Sequence, residues 1–277
     1  MTDSADFIDV KTLMATYSFE EHALLADQYF RMYDVDSPIL RKPFVNISQA
    51  EDLLPKLSRV LKAAQLFPGA RVCDFGAGTA WLTRILCEIG CEAAALDISM
   101  RALELGRSHM ARVAPERAEA ARFLHYDGHR IPVEDRSFDR IIAFDSFHHV
   151  PNQEAVLAEM FRVLDNHGFA VFNEPGPLHS RAPASQMEMR NHKVIENDIV
   201  IEEIWAAAQK IGFERLELDM FPPESLKLKL EDFQLFSSWE TAEPLLKKHF
   251  VHYQNIWRNH RLFTLYKNAQ LQRRSHC

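Results

Sequence analysis

The sequence predicts an α/β fold in which a largely parallel sheet is covered by helices on both faces. Three observations predict it. Short apolar runs alternate with longer helical patterns from Arg71 to Ile211, the signature of strands joined through crossover helices. A glycine loop, Gly76-Ala-Gly78, lies between the first run and the first helical pattern. Acids also recur where the first three runs end, at Asp74, Asp97 and Asp127.

Taken in order, residues 1–48 read as helical and irregular, an N-terminal helical cap. Aromatic residues crowd from Tyr17 to Phe44, and Pro38 and Pro43 punctuate the end. A helix follows at about Gln49–Leu66, with Leu53, Leu54, Leu57, Val60, Leu61 and Ala64 on one face. Pro68-Gly69 breaks the chain before a buried strand at Arg71–Phe75. Helix then follows at Thr79–Ile89, strand at Cys91–Leu96, helix at Met100–Val113 and strand at Phe123–Tyr126. Phe138–Phe144 is a fourth strand, Gln153–Leu164 its helix and Phe169–Asn173 a fifth strand. A helix at Val200–Ile211 leads to Phe213–Met220, and the last strand is Leu262–Tyr266. Residues 49–220 therefore form the core and 221–259 an insertion before the last strand. Residues 260–277 supply that strand and a tail. Pro222-Pro223 and the aromatics from Phe233 to Trp257 make the insertion a second cap segment, packing as core or interface.

Composition bounds the function. The chain of 277 residues is 47% hydrophobic and 26% charged, enough for a sizeable core. A formal net charge of −7 argues against a nucleic-acid partner, apart from local basic patches at Lys227–Lys229 and Arg273–Arg274. The acidic, polar start lacks the basic and apolar regions of a secretory leader, and no uncharged apolar stretch spans a bilayer. Cys73, Cys87, Cys91 and Cys277 form no CxxC pair. Their spacing suits neither zinc nor a disulfide framework, so no metal is expected and Cys73 and Cys87 are read as buried thiols in a reducing cytoplasm.

The loop carries the sharpest chemistry. Gly76 and Gly78 allow a tight turn and close ligand approach. Asp74 can attract an ammonium group. Asp97 can accept bonds from two ribose hydroxyls, and Asp127 one from an adenine amino group. Trp81 stands where a dinucleotide fingerprint needs its third glycine, which disfavours a nicotinamide oxidoreductase. A strand-end acid taken alone is more often a helix or turn cap. Three in succession beside the loop favour a nucleoside-bearing cofactor.

These motifs resemble class I S-adenosylmethionine-dependent methyltransferases over about Leu53–Ile211. Asp74-Phe-Gly-Ala-Gly-Thr79 is similar to the family's first motif, with Ala80 where a third glycine is common. Phe138–Asp145 is similar to its fourth-strand motif. Glu159–Gly168 resembles its helix-to-strand turn, with Asn166-His167 replacing Pro-Gly. The resemblance implies a Rossmann-like sheet and S-adenosyl-L-methionine as cofactor. It implies a cofactor set of Asp74, Gly76, Ala77, Gly78, Asp97, Ile98, Asp127, Gly128 and Asp145. A narrower resemblance, in Lys42-Pro43-Phe44, His148-His149-Val-Pro-Asn152 and Glu174–Ser180, is to bacterial methyltransferases of surface-glycan assembly.

Methyl transfer to oxygen requires an aligned nucleophile, exclusion of water and a base. Strand-end residues His148, His149 and Glu174 are the base candidates, although each has a plainer reading as a loop or turn residue. His179 and Arg181, on a polar loop running from Glu174 to Arg190, are candidate substrate-binding residues, with Lys42. Tyr17, Tyr29 and Tyr33, with Lys42, can close over the ligand or simply pack the N-terminal helices; Trp81 can stack near the cofactor but reads first as a core aromatic.

The first reading is O-methylation of a sugar hydroxyl in a bacterial surface glycan or its precursor. The alternatives are a methyltransferase of a hydrophobic small molecule, such as a quinone or lipid, and a non-catalytic cofactor-binding assembly protein. The expected partners are a small-molecule or glycan acceptor, with homo-oligomerisation or association with glycan-assembly enzymes left open.

Overall fold

The computed structural model describes residues 7–219, 229–235, 238–244, 246–247, 250, 254 and 260–268. Seven strands form one sheet: β1 (Arg71–Phe75), β2 (Glu92–Asp97), β3 (Arg122–His125), β4 (Phe138–Phe144), β5 (Leu164–Pro175), β6 (Arg215–Leu218) and β7 (His260–Tyr266). Their order is β3-β2-β1-β4-β5-β7-β6. The first five are parallel, whereas β7 runs antiparallel to both β5 and β6. The sheet is therefore mixed. The chain leaves β6 and re-enters at the carboxyl end of β5, where His260 pairs with Pro175, so the last strand must run backwards.

Alternation along the strands explains the two covered faces. Val72, Ile142 and Val171 face one cluster, with Leu53, Leu57 and Val60 of α3 (Ile47–Ala64) and Leu82 and Leu86 of α4 (Trp81–Glu88). Cys73, Ile141 and Ala170 face the other, with Val156, Leu157 and Met160 of α7 (Gln153–Val163) and Ile204 and Ala208 of α9 (Ile201–Ile211). Pro55 lies within α3 without ending it. Between these helices in the chain come α5 (Met100–Val113), α6 (Pro115–Ala120) and α8 (Pro183–His192).

Two helices precede the core, α1 (Val10–Thr16) and α2 (Phe19–Phe30). Ser18 caps α2 reciprocally with Glu21, satisfying free N–H groups of its first turn. Asp27 then pins α2 to the core. Its Oδ1 accepts from Arg101 N at 2.8 Å and Ser99 Oγ at 3.0 Å, at the start of α5.

Three sequence expectations change. The polar loop from Glu174 to Arg190 contains a helix, α8, whose polar composition hides it: within it only Ser185 and Met189 are buried. Helix α6 was missed because it is short and buries nothing. Strand β5 extends beyond Phe169–Asn173 at both ends. The proposed cap insertion, 221–259, lies largely outside the described residues, although the strands at either end of it approach the carboxyl edge of the sheet.

Candidate active site

The carboxyl edge carries a cavity of about 360 Å³, lined by Gly76, Ala77, Gly78, Asp97, Ile98 and Asp145 among others. Helix α2 forms its outer wall through Phe19, His22, Leu25, Tyr29 and Phe30, and Lys42 also borders it. Gly76 adopts φ +67°, and a Cβ there would meet Ser146 Cβ at 2.5 Å. Gly78, at φ +53°, donates its N–H to Asp97 Oδ2 at 2.7 Å. Asp97 Oδ1 accepts from Ser99 N at 2.8 Å, which leaves each oxygen a free acceptor position. Burial raises the Asp97 pKa, with the two backbone donors holding it down. A glycine cradle without side chains and a buried carboxylate with spare acceptor capacity fit a nucleoside bearing ribose hydroxyls. His22, on the same wall, keeps a buried Nε2 without a hydrogen-bond partner among the described residues.

Three predicted cofactor residues sit elsewhere. Asp74 lies under the loop: its Oδ2 accepts from Thr83 N at 2.9 Å and Thr83 Oγ1 at 2.6 Å, tying β1 to α4. Burial pushes its pKa up to about 7. It does not line the cavity. Asp127 is exposed and closes a turn, accepting from His129 N and Arg130 N at 2.8 Å each. Gly128 touches the Phe19 ring, which would lie 1.6 Å from an added Cβ, and so seats α2. Its neighbour Tyr126 is the cavity residue at this strand end, a role the sequence did not single out.

A second cavity opens beside the first, and Asp145, His149 and Glu196 line both. Asp145 has φ +49° and accepts from Asn173 Nδ2 at 3.2 Å. Accessible from the cavities yet hemmed in by protein, its carboxyl is pushed up to about 6 by burial. Lys42 faces it, and burial lowers the Lys42 pKa against that attraction.

Glu174, expected as a candidate base, is wholly enclosed. It accepts from Ser146 N, Phe147 N and His148 N at 3.1, 2.8 and 3.2 Å, and from His148 Nδ1 at 2.6 Å. Those four donors use its lone pairs, so none is left for a substrate proton. Glu174 lines neither cavity and is a positioning residue for the His148-His149 turn. Burial pushes its pKa up to about 7 against the donors. His148 lines the second cavity, and burial together with His149 keeps it neutral, well below the ordinary histidine value. His149 is partly exposed, with Nδ1 against the Ile195 carbonyl.

His179 also lines the second cavity, its Nε2 2.6 Å from Glu196 Oε2. Arg181 does not: it is exposed, with its guanidinium 5.9 Å from the Phe7 ring centre. Of the tyrosines, Tyr29 lines the first cavity, whereas Tyr17 and Tyr33 do not. Trp81 lines it too, edge-on to Phe144 with centroids 5.3 Å apart. Glu196 carried no sequence signal, since it follows α8 in an irregular stretch and reaches the histidines only through the fold.

The strand order, the glycine cradle and the strand-end acid Asp97 define the class I methyltransferase fold. Residues 73–172 match the family profile described as Methyltransferase domain. The chain is 34% identical over 120 residues to sarcosine/dimethylglycine N-methyltransferase of Halorhodospira halochloris, covering 40% of this chain and 39% of that protein. It is 30% identical over 158 residues to demethylmenaquinone methyltransferase of Clavibacter sepedonicus, covering 56% and 62%. Phosphoethanolamine N-methyltransferase 2 of Haemonchus contortus, solved with S-adenosyl-L-methionine, shares the fold at TM-score 0.55 and 20% identity, over 77% of this chain and 52% of that one. The matched region thus spans about half the length of these curated relatives. Among the described residues no helix is long and apolar enough to cross a membrane.

Proposed function

We propose that this protein transfers the methyl group of S-adenosylmethionine to a small, hydroxyl-bearing ring compound. The observation that carries the reading is the junction of the two cavities at Asp145, His149 and Glu196. One cavity holds the features a nucleoside needs. The other presents polar groups to an acceptor.

When bound, the cofactor supplies an electrophilic methyl on a sulfonium. The chain supplies the rest. Asp97 accepts the ribose hydroxyls, and the loop from Gly76 to Gly78 lets the ligand lie against backbone. Helix α2 excludes water from the cradle. Asp145 and Lys42 give the junction opposite charges that orient a polar acceptor. The acceptor's proton leaves toward the His148-His149 turn, which Glu174 holds in place.

Among hydroxylated rings we favour a quinol. Quinone methyltransferases recur among the relatives, and apolar Leu25, Ile39, Phe144 and Val150 line the first cavity. A sugar hydroxyl is the second reading, favoured by His179, Glu196 and Asp145 in the second cavity. The test incubates the full chain and methyl-labelled cofactor with a demethylated quinol or with nucleotide sugars. Label is expected in the quinol. Label in a sugar alone overturns the quinol reading, and label in neither overturns the acceptor class.

A further inference from the structure

Three histidines crowd one carboxylate beside the second cavity. His179 Nε2 lies 2.6 Å from Glu196 Oε2, while His148 Nε2 lies 3.7 Å from the same oxygen. One donor atom from each of His148, His149 and Glu196 lies within 4.8 Å of the other two. The 3.7 Å separation is too long for a hydrogen bond. It is close to the spacing of two donors around one ion, since tetrahedral bonds of about 2.0–2.1 Å set donors roughly 3.3 Å apart.

The groups behind the cluster point the same way. His148 gives its Nδ1–H to Glu174 at 2.6 Å, so its Nε2 carries the lone pair. His149 turns Nδ1 to the Ile195 carbonyl, and the same nitrogen lies 3.9 Å from Glu196 Oε1, so ligation through it exchanges the carbonyl hydrogen bond for a metal bond. A ligating histidine characteristically donates its other N–H to a carboxylate or a backbone carbonyl, which fixes its tautomer and raises its basicity. His148 has such a partner in Glu174, behind the nitrogen that faces Glu196.

We propose that His148, His149 and Glu196 bind a divalent first-row transition-metal ion, with His179 placed to exchange its hydrogen bond to Glu196 for a fourth bond. Imidazole and carboxylate donors without thiolate suit zinc, cobalt or iron(II). All three residues line the second cavity, so a remaining coordination position faces the space assigned to the acceptor. An acceptor hydroxyl bound there loses its proton more readily, as metal-bound water does. Metal binding stands on the side-chain geometry alone; only its part in activating the acceptor rests on the proposed function.

The test reads binding, not turnover. Full-length protein stripped with chelator is titrated with cobalt(II) and followed by visible absorption. The expected result is a saturable d–d band at one cobalt per chain, abolished by zinc. Glu196→Gln and His149→Ala should each weaken cobalt binding at least tenfold while circular dichroism shows a folded chain. Arg181→Ala, outside both cavities, should bind as the parent does. A parent protein without a saturable band, or folded Glu196→Gln and His149→Ala proteins that both keep parental affinity, overturns the proposal. Neither result bears on whether methyl transfer occurs.

Discussion

Asp74 and Asp97 end neighbouring strands, yet their carboxylates serve different purposes. Asp97 faces the cavity, whereas Asp74 fastens α4 through Thr83. Burial raises Asp74 from an ordinary 3.8 to about 7 in the folded chain. Between about pH 4 and 7 the unfolded chain releases this proton and the folded chain retains it. Its contribution to stability therefore falls as pH rises through that window and is level above it. Asp74→Asn removes the titration. Denaturant melts across that range should show the variant gaining on the parent up to about pH 7, and a constant gap would refute the assignment. Glu174 makes a sharper case. Replacing it with Gln puts an amide donor among four donors, at about 1–3 kcal/mol for each one left unpaired. Glu174→Gln should lower stability markedly in chemical denaturation. His149→Ala, at a partly exposed site, should change it by less than about 0.5–1 kcal/mol. Equal losses would mean that Glu174 does not organise the turn.

At the scale of elements, most of the sheet was legible because burial on both faces leaves unbroken apolar runs. Arg71–Phe75 and Phe138–Phe144 coincide with β1 and β4 for that reason. The direction of β7 was not legible, since periodicity carries no strand sense. Helix α8 was missed because few of its residues face a core. Helix α2 matters most for function. It is capped by Ser18, docked through Asp27 and laid against the glycine loop, where Phe30 approaches Gly78. Cofactor binding should therefore slow amide hydrogen exchange across residues 19–30. Ser18→Ala should cost the helix about 0.5–2 kcal/mol and speed exchange there. Exchange in α2 that ignores the cofactor would remove it from the cavity wall.

The whole molecule brings together groups distant in sequence: α2, the ends of five strands and Glu196 meet at one edge of the sheet. The nucleoside half of this site could be read in advance, because the loop and Asp97 are adjacent to strand ends. The acceptor half could be read only in part: His148, His149 and His179 line the second cavity, whereas Glu196 joins them only through the fold and Asp145, expected at the cofactor, lies where two cavities meet. The central claim is that S-adenosylmethionine occupies the cradle formed by Gly76, Gly78 and Asp97. Calorimetric titration of the full chain with S-adenosylmethionine, and separately with NAD, tests it most directly. Saturable binding of the first and none of the second is expected. Asp97→Ala should weaken binding by about 1.5–3 kcal/mol, roughly 10- to 150-fold, as bonds to a charged acceptor are lost. Binding of NAD instead, or an unchanged affinity in Asp97→Ala, would contradict it.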